Sequence, residues 1–183
     1  SHPWFELGAV DPDLSNYGTM REWLNGVKVL LQRIFATSNL YPTLYSIWAE
    51  LGTFGNAPLA IFQDFNKVIY CESYTAGSYL IAANDKNQVD VLYREYCKTV
   101  RQVVDRFGIE NVSQGTRRNY EQGLYNQKVD LIRAIEPNSN RNFTTGLAKD
   151  MPIRSSWFEK NTKKGDKPLL LSGFEDLPFM CPR

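Results

Sequence analysis

Between Met20 and Phe35 the apolar residues fall at Met20, Trp23, Leu24, Val27, Leu30, Leu31, Ile34 and Phe35. Steps of three and four put them on one stripe of a helix, and such a stripe needs a partner surface. Thr19-Met20-Arg21-Glu22 has the spacing of a capping box, so the helix is expected to start there. Ser38-Asn39 ends it. A second helix is expected from Pro42, a good first-turn residue. Leu44, Tyr45, Trp48 and Leu51 follow at helical spacing, and Gly52 is placed as the C-terminal stop. So short a connection predicts an antiparallel or sharply bent helix pair.

After Gly55-Asn56 the pattern turns strand-like. Leu59–Phe62, Val68–Cys71, Tyr79–Ala82 and Val89–Tyr93 are short apolar runs separated by polar turns, which predicts an antiparallel meander. Thr99–Phe107 reads as a helix with Val100, Val103, Val104 and Phe107 on one face, stopped by Gly108, and Asn111–Gly123 as a polar helix. Lys128–Ile135 alternates like a strand, and Glu136-Pro137-Asn138 breaks it. A loop is expected over 138–149. Pro152–Glu159 and Pro168–Leu171 then form a hairpin around the lysine-rich turn Asn161–Lys167, and an irregular tail follows from Gly173.

The fold class expected is α+β: an N-terminal helix pair packed on small antiparallel sheets, a meander plus a late hairpin. The chain divides into an extended lead-in (1–18), the helix pair (19–52), the meander (57–95), further helices (98–123), further strands and loop (126–173) and a tail (174–183). Trp4, Phe5 and Leu7 are expected to dock the lead-in onto the body. The 183 residues suit one domain, able to bury roughly 70% of its unfolded surface. The tail reads as a chain cut short, and Ser1-His2 as a cloning remnant.

Most catalytic chemistries lack their residues. The one histidine is His2, beside the N-terminus, whereas Ser-His-Asp and Cys-His catalysis need an imidazole held by a third group. Cys71, Cys97 and Cys181 are far apart, without a CxxC pair, so neither a disulfide framework nor a thiolate metal site is expected. Three reduced thiols fit synthesis in the cytosol. The carboxylate pairs Glu175-Asp176 and Asp11/Asp13 read as solvated loop charge. Gly52-Thr53-Phe54-Gly55 follows a helix and precedes a strand, the reverse of a phosphate cradle. Asn111-Val112-Ser113 and Asn142-Phe143-Thr144 match the glycosylation sequon, but the start, SHPWFELGAVDPDL, lacks the basic and apolar regions of a signal peptide. No apolar run approaches membrane-spanning length. No catalytic, metal or cofactor site is expected.

Two basic clusters remain: Arg117-Arg118 on the polar helix, and Lys160, Lys163, Lys164 and Lys167 on the hairpin turn. They are either solvated tips or contacts for a polyanion such as DNA. The formal net charge is only +1, so contact with nucleic acid would be local. Aromatic residues reach 13%, which suits a subunit that buries surface against copies of itself.

Several segments, in this order, carry a resemblance: Glu50-Leu51-Gly52-Thr53-Phe54-Gly55, closing the helix pair; Tyr93-Arg94-Glu95; Arg106-Phe107-Gly108; Pro137-Asn138; Ser172-Gly173-Phe174; and Pro182-Arg183. The series, spanning nearly the whole chain, resembles the head-to-tail connecting (portal) proteins of short-tailed bacteriophages, and within them the wing region that precedes the stem. The resemblance implies a structural virion protein made in the host cytoplasm, a subunit of a ring, commonly dodecameric, at one capsid vertex. Its partners would be copies of itself, the packaging terminase, tail or adaptor proteins, capsid protein, and double-stranded DNA passing non-specifically through the channel, with no membrane and no cofactor. Such proteins have no catalytic residues to carry over. The competing readings are another virion or scaffolding interaction module and an unrecognised enzyme. An enzyme predicts a concave pocket with convergent polar groups and shifted pKa values. The portal reading predicts no such pocket, and instead exposed apolar patches on two opposite sides of the molecule.

Overall fold

The computed structural model describes residues 4–11, 14, 17–161 and 167–182. Both N-terminal helices form, with displaced ends: α1 spans Gly18–Thr37 and α2 Leu40–Phe54. The expected capping box is not made. Tyr17 is the N-cap of α1 and no side chain caps the helix. Thr19 is already inside, so its hydroxyl lacks the extended backbone that a box requires. α2 begins two residues before Pro42 and runs through Gly52. Its stop is Gly55, at φ 75 with its N–H on Leu51 O; a left-handed cap needs glycine there, whereas Gly52 costs the helix only propensity.

The line that α2 buries also differs from the one expected. Leu40, Thr43 and Ile47 are buried, Leu44 and Leu51 half-buried, and Tyr45 and Trp48 face solvent. The lead-in does dock: Phe5 and Trp4 lie against Phe35 with ring centroids 5.8 and 6.2 Å away.

The expected meander is split between two sheets. β1 (Leu59–Asp64) and β2 (Val68–Ser73) pair with each other, and β8 (Phe179–Met180) adds to β1, giving the order β2-β1-β8. β3 (Tyr79–Ala83) and β4 (Val89–Thr99) belong to a second sheet with β5 (Lys128–Pro137), β6 (Ile153–Glu159) and β7 (Leu170–Phe174), in the order β3-β4-β5-β6-β7. All the pairings are antiparallel. The tail is therefore not irregular throughout: its apolar pair, with Phe179 buried, closes the edge of β1. Nor does Pro137 break β5 early. The β4 ladder ends at Leu92↔Ile135, so the proline sits beyond the point where its missing N–H would be needed.

Two short helices follow β4. α3 (Val100–Phe107) carries a complete capping box between Thr99 and Gln102 and buries Val100, Val103, Val104 and Phe107. α4 (Gln114–Glu121) is capped by Ser113.

Three apolar cores order the layers. Leu40 and Ile47 of α2 pack on Leu59 and Cys71 of the smaller sheet. Ala60, Tyr74 and Phe179 pack on Leu92 and Ile135 of the larger sheet. Beyond the smaller sheet, α3 covers the rest of that same face through Val103, Phe107, Leu131 and Trp157. The stack thus runs α2, smaller sheet, larger sheet, and among the described residues the far face of the larger sheet has no α-helix on it. At the junction of the sheets Arg94 of β4 reaches Glu72 of β2 at 2.7 Å, with its guanidinium over the rings of Tyr74 and Tyr96. Arg133 is 9% exposed and lies among Phe62, Trp157 and Phe174, with Nε donating to Ser155 Oγ at 3.3 Å. Ring faces replace part of the solvation that a buried guanidinium loses.

Candidate functional site

The β-strand period of two assigns each residue of the larger sheet to a face. Tyr79, Leu92, Arg94, Tyr96, Leu131, Arg133, Ile135 and Trp157 look into the cores. Leu80, Tyr93, Glu95, Ile132, Ala134, Glu136, Arg154, Ser156 and Phe158 look out, and adjacent strands keep this register. On this outer side Leu80, Tyr93, Ile132, Ala134, Arg154 and Phe158 help to line a hollow of about 590 Å³. A concave site is therefore present where the portal reading anticipated none. The 3-10 turn Ala148–Asp150 folds over the end of the same face at Gly173, where a Cβ would lie 2.4 Å from Ala148 O.

The charged groups of the hollow are paired, although Arg94 Nε and Arg154 Nε are buried without a hydrogen-bond partner. Glu136 accepts from Arg154, with which it is ion-paired, and from the Tyr93 hydroxyl at 2.7 Å. Burial alone would raise the Glu136 carboxyl; the bonds from Arg154 and Tyr93 outweigh it and hold it below the usual carboxylate range. The bond to Glu136, with burial, pushes the Tyr93 phenol up. A carboxylate held ionised with both partners in place is a poor proton acceptor, and a phenol pushed upward a poor nucleophile. Glu95 and Lys160 pair at 2.9 Å on the same face. Among the described residues no group of three or more His, Cys, Asp and Glu comes together to hold a metal.

The helix that carries Arg117 and Arg118 is tied to the end of β6, next to Lys160 in the chain. Glu159, at the end of β6, accepts from Ser113 N at 2.9 Å and Ser113 Oγ at 2.7 Å, so the start of α4 is fixed beside the end of that strand. Arg117 is engaged: Nε and Nη2 both donate to Ile109 O, at 3.1 and 2.9 Å. Lys160 is engaged with Glu95. Arg118 and Lys167 are exposed. Lys163 and Lys164 lie outside the described residues. Glu95 and Asp130 lie beside Lys160, so the charge there is mixed in sign.

A second surface was not legible as such in the sequence. Tyr41, Tyr45 and Trp48, at i, i+4 and i+7 of α2, form an exposed aromatic ridge, and Trp4 joins it through Nε1 donating to Tyr41 OH at 3.3 Å. Tyr45 is 75% and Trp48 67% exposed. The 41-45-48 spacing was the available signal. It lies about a third of a turn round the helix from the buried line.

The family model for the bacteriophage head to tail connecting protein matches residues 1–183, the whole chain. The chain belongs to this connector family. It is 38% identical, along its full length, to the portal protein of Salmonella phage epsilon15, and 37% identical to the probable portal protein of Bordetella phage BPP-1. In each case it spans 33% of the relative's length. Among the described residues no helix is long and apolar enough to cross a membrane.

Proposed function

We propose that this chain is the wing-type domain of a portal subunit, working without catalysis in a ring at one capsid vertex through which DNA is packaged and ejected. The observation that carries the reading is the family match over all 183 residues together with two relatives named as portal proteins. In the virion it would act with copies of itself, in a ring commonly dodecameric in the family, and with terminase, tail or adaptor proteins and capsid protein. A near-neutral chain suits a passage along which DNA must slide, because many phosphate contacts would hold it in place. Exposed Arg118 and Lys167, and with them Arg117, Lys160, Lys163 and Lys164, supply local and salt-sensitive contact to the polyanion rather than sequence recognition. The test is immunogold labelling of virions with antibodies raised against this chain. Label at a single vertex of each particle supports the reading; label spread over the shell, or none on particles opened to the antibody, overturns it.

A further inference from the structure

The two outer surfaces of the layered stack differ in shape. The helix layer presents a convex ridge, Trp4, Tyr41, Tyr45 and Trp48. The larger sheet presents a hollow of about 590 Å³. Neither is covered by another part of the described chain, and a single molecule cannot bring its own ridge to its own hollow across the two intervening sheets. We infer that the aromatic ridge of one copy seats in the sheet hollow of the next, a heterologous contact between copies of this chain. This deepens the connector reading and rests on it.

Three features support a second copy as the occupant. The first is desolvation. α2 contains one charged residue, Glu50, which is turned inward and accepts from Ala76 N at 3.1 Å. Around the hollow, Glu136 is paired with Arg154 and Glu95 with Lys160. Joining the surfaces therefore strands no charge, the cost that most often forbids an interface. The second is chemistry. Tyrosine and tryptophan join a large apolar area to one polar group, as the centres of stable interfaces do. The hollow offers an apolar floor in Ile132, Ala134 and Phe158, acceptors in Glu136 and Ser156 for the phenol and indole donors, and in Arg154 a donor to a phenol oxygen. The third is area. What remains open on the four rings is on the order of 500 Å², from the ~150–250 Å² that such a side chain buries in full. With flanking polar residues this approaches the ~800 Å² per partner of a standard interface. Two convex ridges meeting each other would bury far less and leave both hollows empty. A ridge-to-hollow contact repeats from copy to copy and closes into a ring when the rotation allows.

The experiment is sedimentation velocity of this 183-residue chain in a concentration series, alone and as surface variants. The ridge variant is Tyr45→Glu with Trp48→Glu. The hollow is blocked in two ways, by Leu80→Glu at a position 72% exposed and by Ser156→Trp, which fills it. Phe65→Glu, on the exposed β1–β2 turn, is the control. Circular dichroism checks that each is folded. The wild type and the control should associate reversibly. Ridge and hollow variants should each weaken association by roughly tenfold or more, the scale of one lost anchor. A mixture of the ridge variant with a hollow variant should form a one-to-one complex and nothing larger, because one intact ridge and one intact hollow remain. A chain monomeric up to roughly 1 mM, the weak limit of specific binding, overturns the inference. So does association that the hollow variants leave intact, or a variant mixture that stays monomeric while the wild type associates. The single-vertex labelling does not depend on these surfaces, so either idea can fail without the other.

Discussion

α1 and α3 make an instructive pair. α1 has 20 residues and a clear apolar stripe, yet buries none of its side chains fully; α3 has eight residues and buries four, Val100, Val103, Val104 and Phe107. α1 has no side-chain cap, whereas α3 has both halves of its capping box. Length and periodicity thus do not measure how firmly a helix is held. What differs is the surface opposite. α3 lies on the larger sheet, against Leu131 and Trp157, while α1 meets mainly the lead-in and the start of α2. The short helix belongs to the core, and the long one keeps Trp23, Val29 and Leu30 exposed.

The largest expected break of this contrast is Phe107→Ala. It removes a ring packed 5.5 Å from Trp157 and should cost about 3–5 kcal/mol in a urea melt. Leu30→Ala, on the open side of α1, should cost under ~0.5 kcal/mol in the same assay. Gly173→Ala should rank next, at about 1–3 kcal/mol, because its Cβ would lie 2.4 Å from the Ala148 carbonyl and 2.6 Å from Met151 Cβ. Thr99→Ala removes the cap of α3 and should cost about 1 kcal/mol. Glu22→Ala, which would cost as much if the capping box of α1 existed, should stay within ~0.5 kcal/mol. Native-state hydrogen exchange sharpens the same point: α3 amides should exchange only through global unfolding, α1 amides through local opening.

The buried phenols add a pH-dependent difference between interior and surface. Burial first, and then the neighbouring Glu72 charge, raises the Tyr96 phenol; burial likewise raises Tyr74. A folded-state pKa above the unfolded one means that the native form holds these protons longer. Their contribution to stability is complete below about pH 10, the ordinary phenol value, and is lost as the pH climbs above it. Urea midpoints should therefore fall between pH 9 and pH 11 (about one unit either side of that value). Tyr96→Phe should flatten the fall, and an unchanged slope would contradict the burial of that hydroxyl.

Much of the fold could be read residue by residue. Apolar spacing located both N-terminal helices, α3 and the runs that became β1 to β6, because period 3.6 or 2 is a local property. Gly108 stops α3 as expected, at φ 83. The failures share one cause. Thr19-Met20-Arg21-Glu22 satisfies the letter of a capping box, but the helix had already begun at Gly18. Tyr45 and Trp48 satisfy helical spacing, yet the line through Leu40, Thr43 and Ile47 faces the sheet. Either line is apolar enough to be buried, and only the position of β2 chooses between them. The candidate site was less legible still. Leu80, Tyr93, Ala134 and Phe158 come from four strands with no shared motif, and their convergence depends on register.

The sequence by itself determined the secondary structure of most segments, the absence of catalytic motifs along the chain and, through the order of its motifs, the family. Tertiary structure decided that the expected meander would divide between two sheets, that Phe179–Met180 would return to β1, and that Arg117 and Lys160 would be occupied by a carbonyl and a carboxylate. It also decided which apolar residues stay exposed. The physical reason is that hydrophobic burial is non-directional: it requires apolar area to be covered and does not say by what. Local pattern fixes which residues can share a face, and only the packing of layers fixes which faces are covered and which stay exposed.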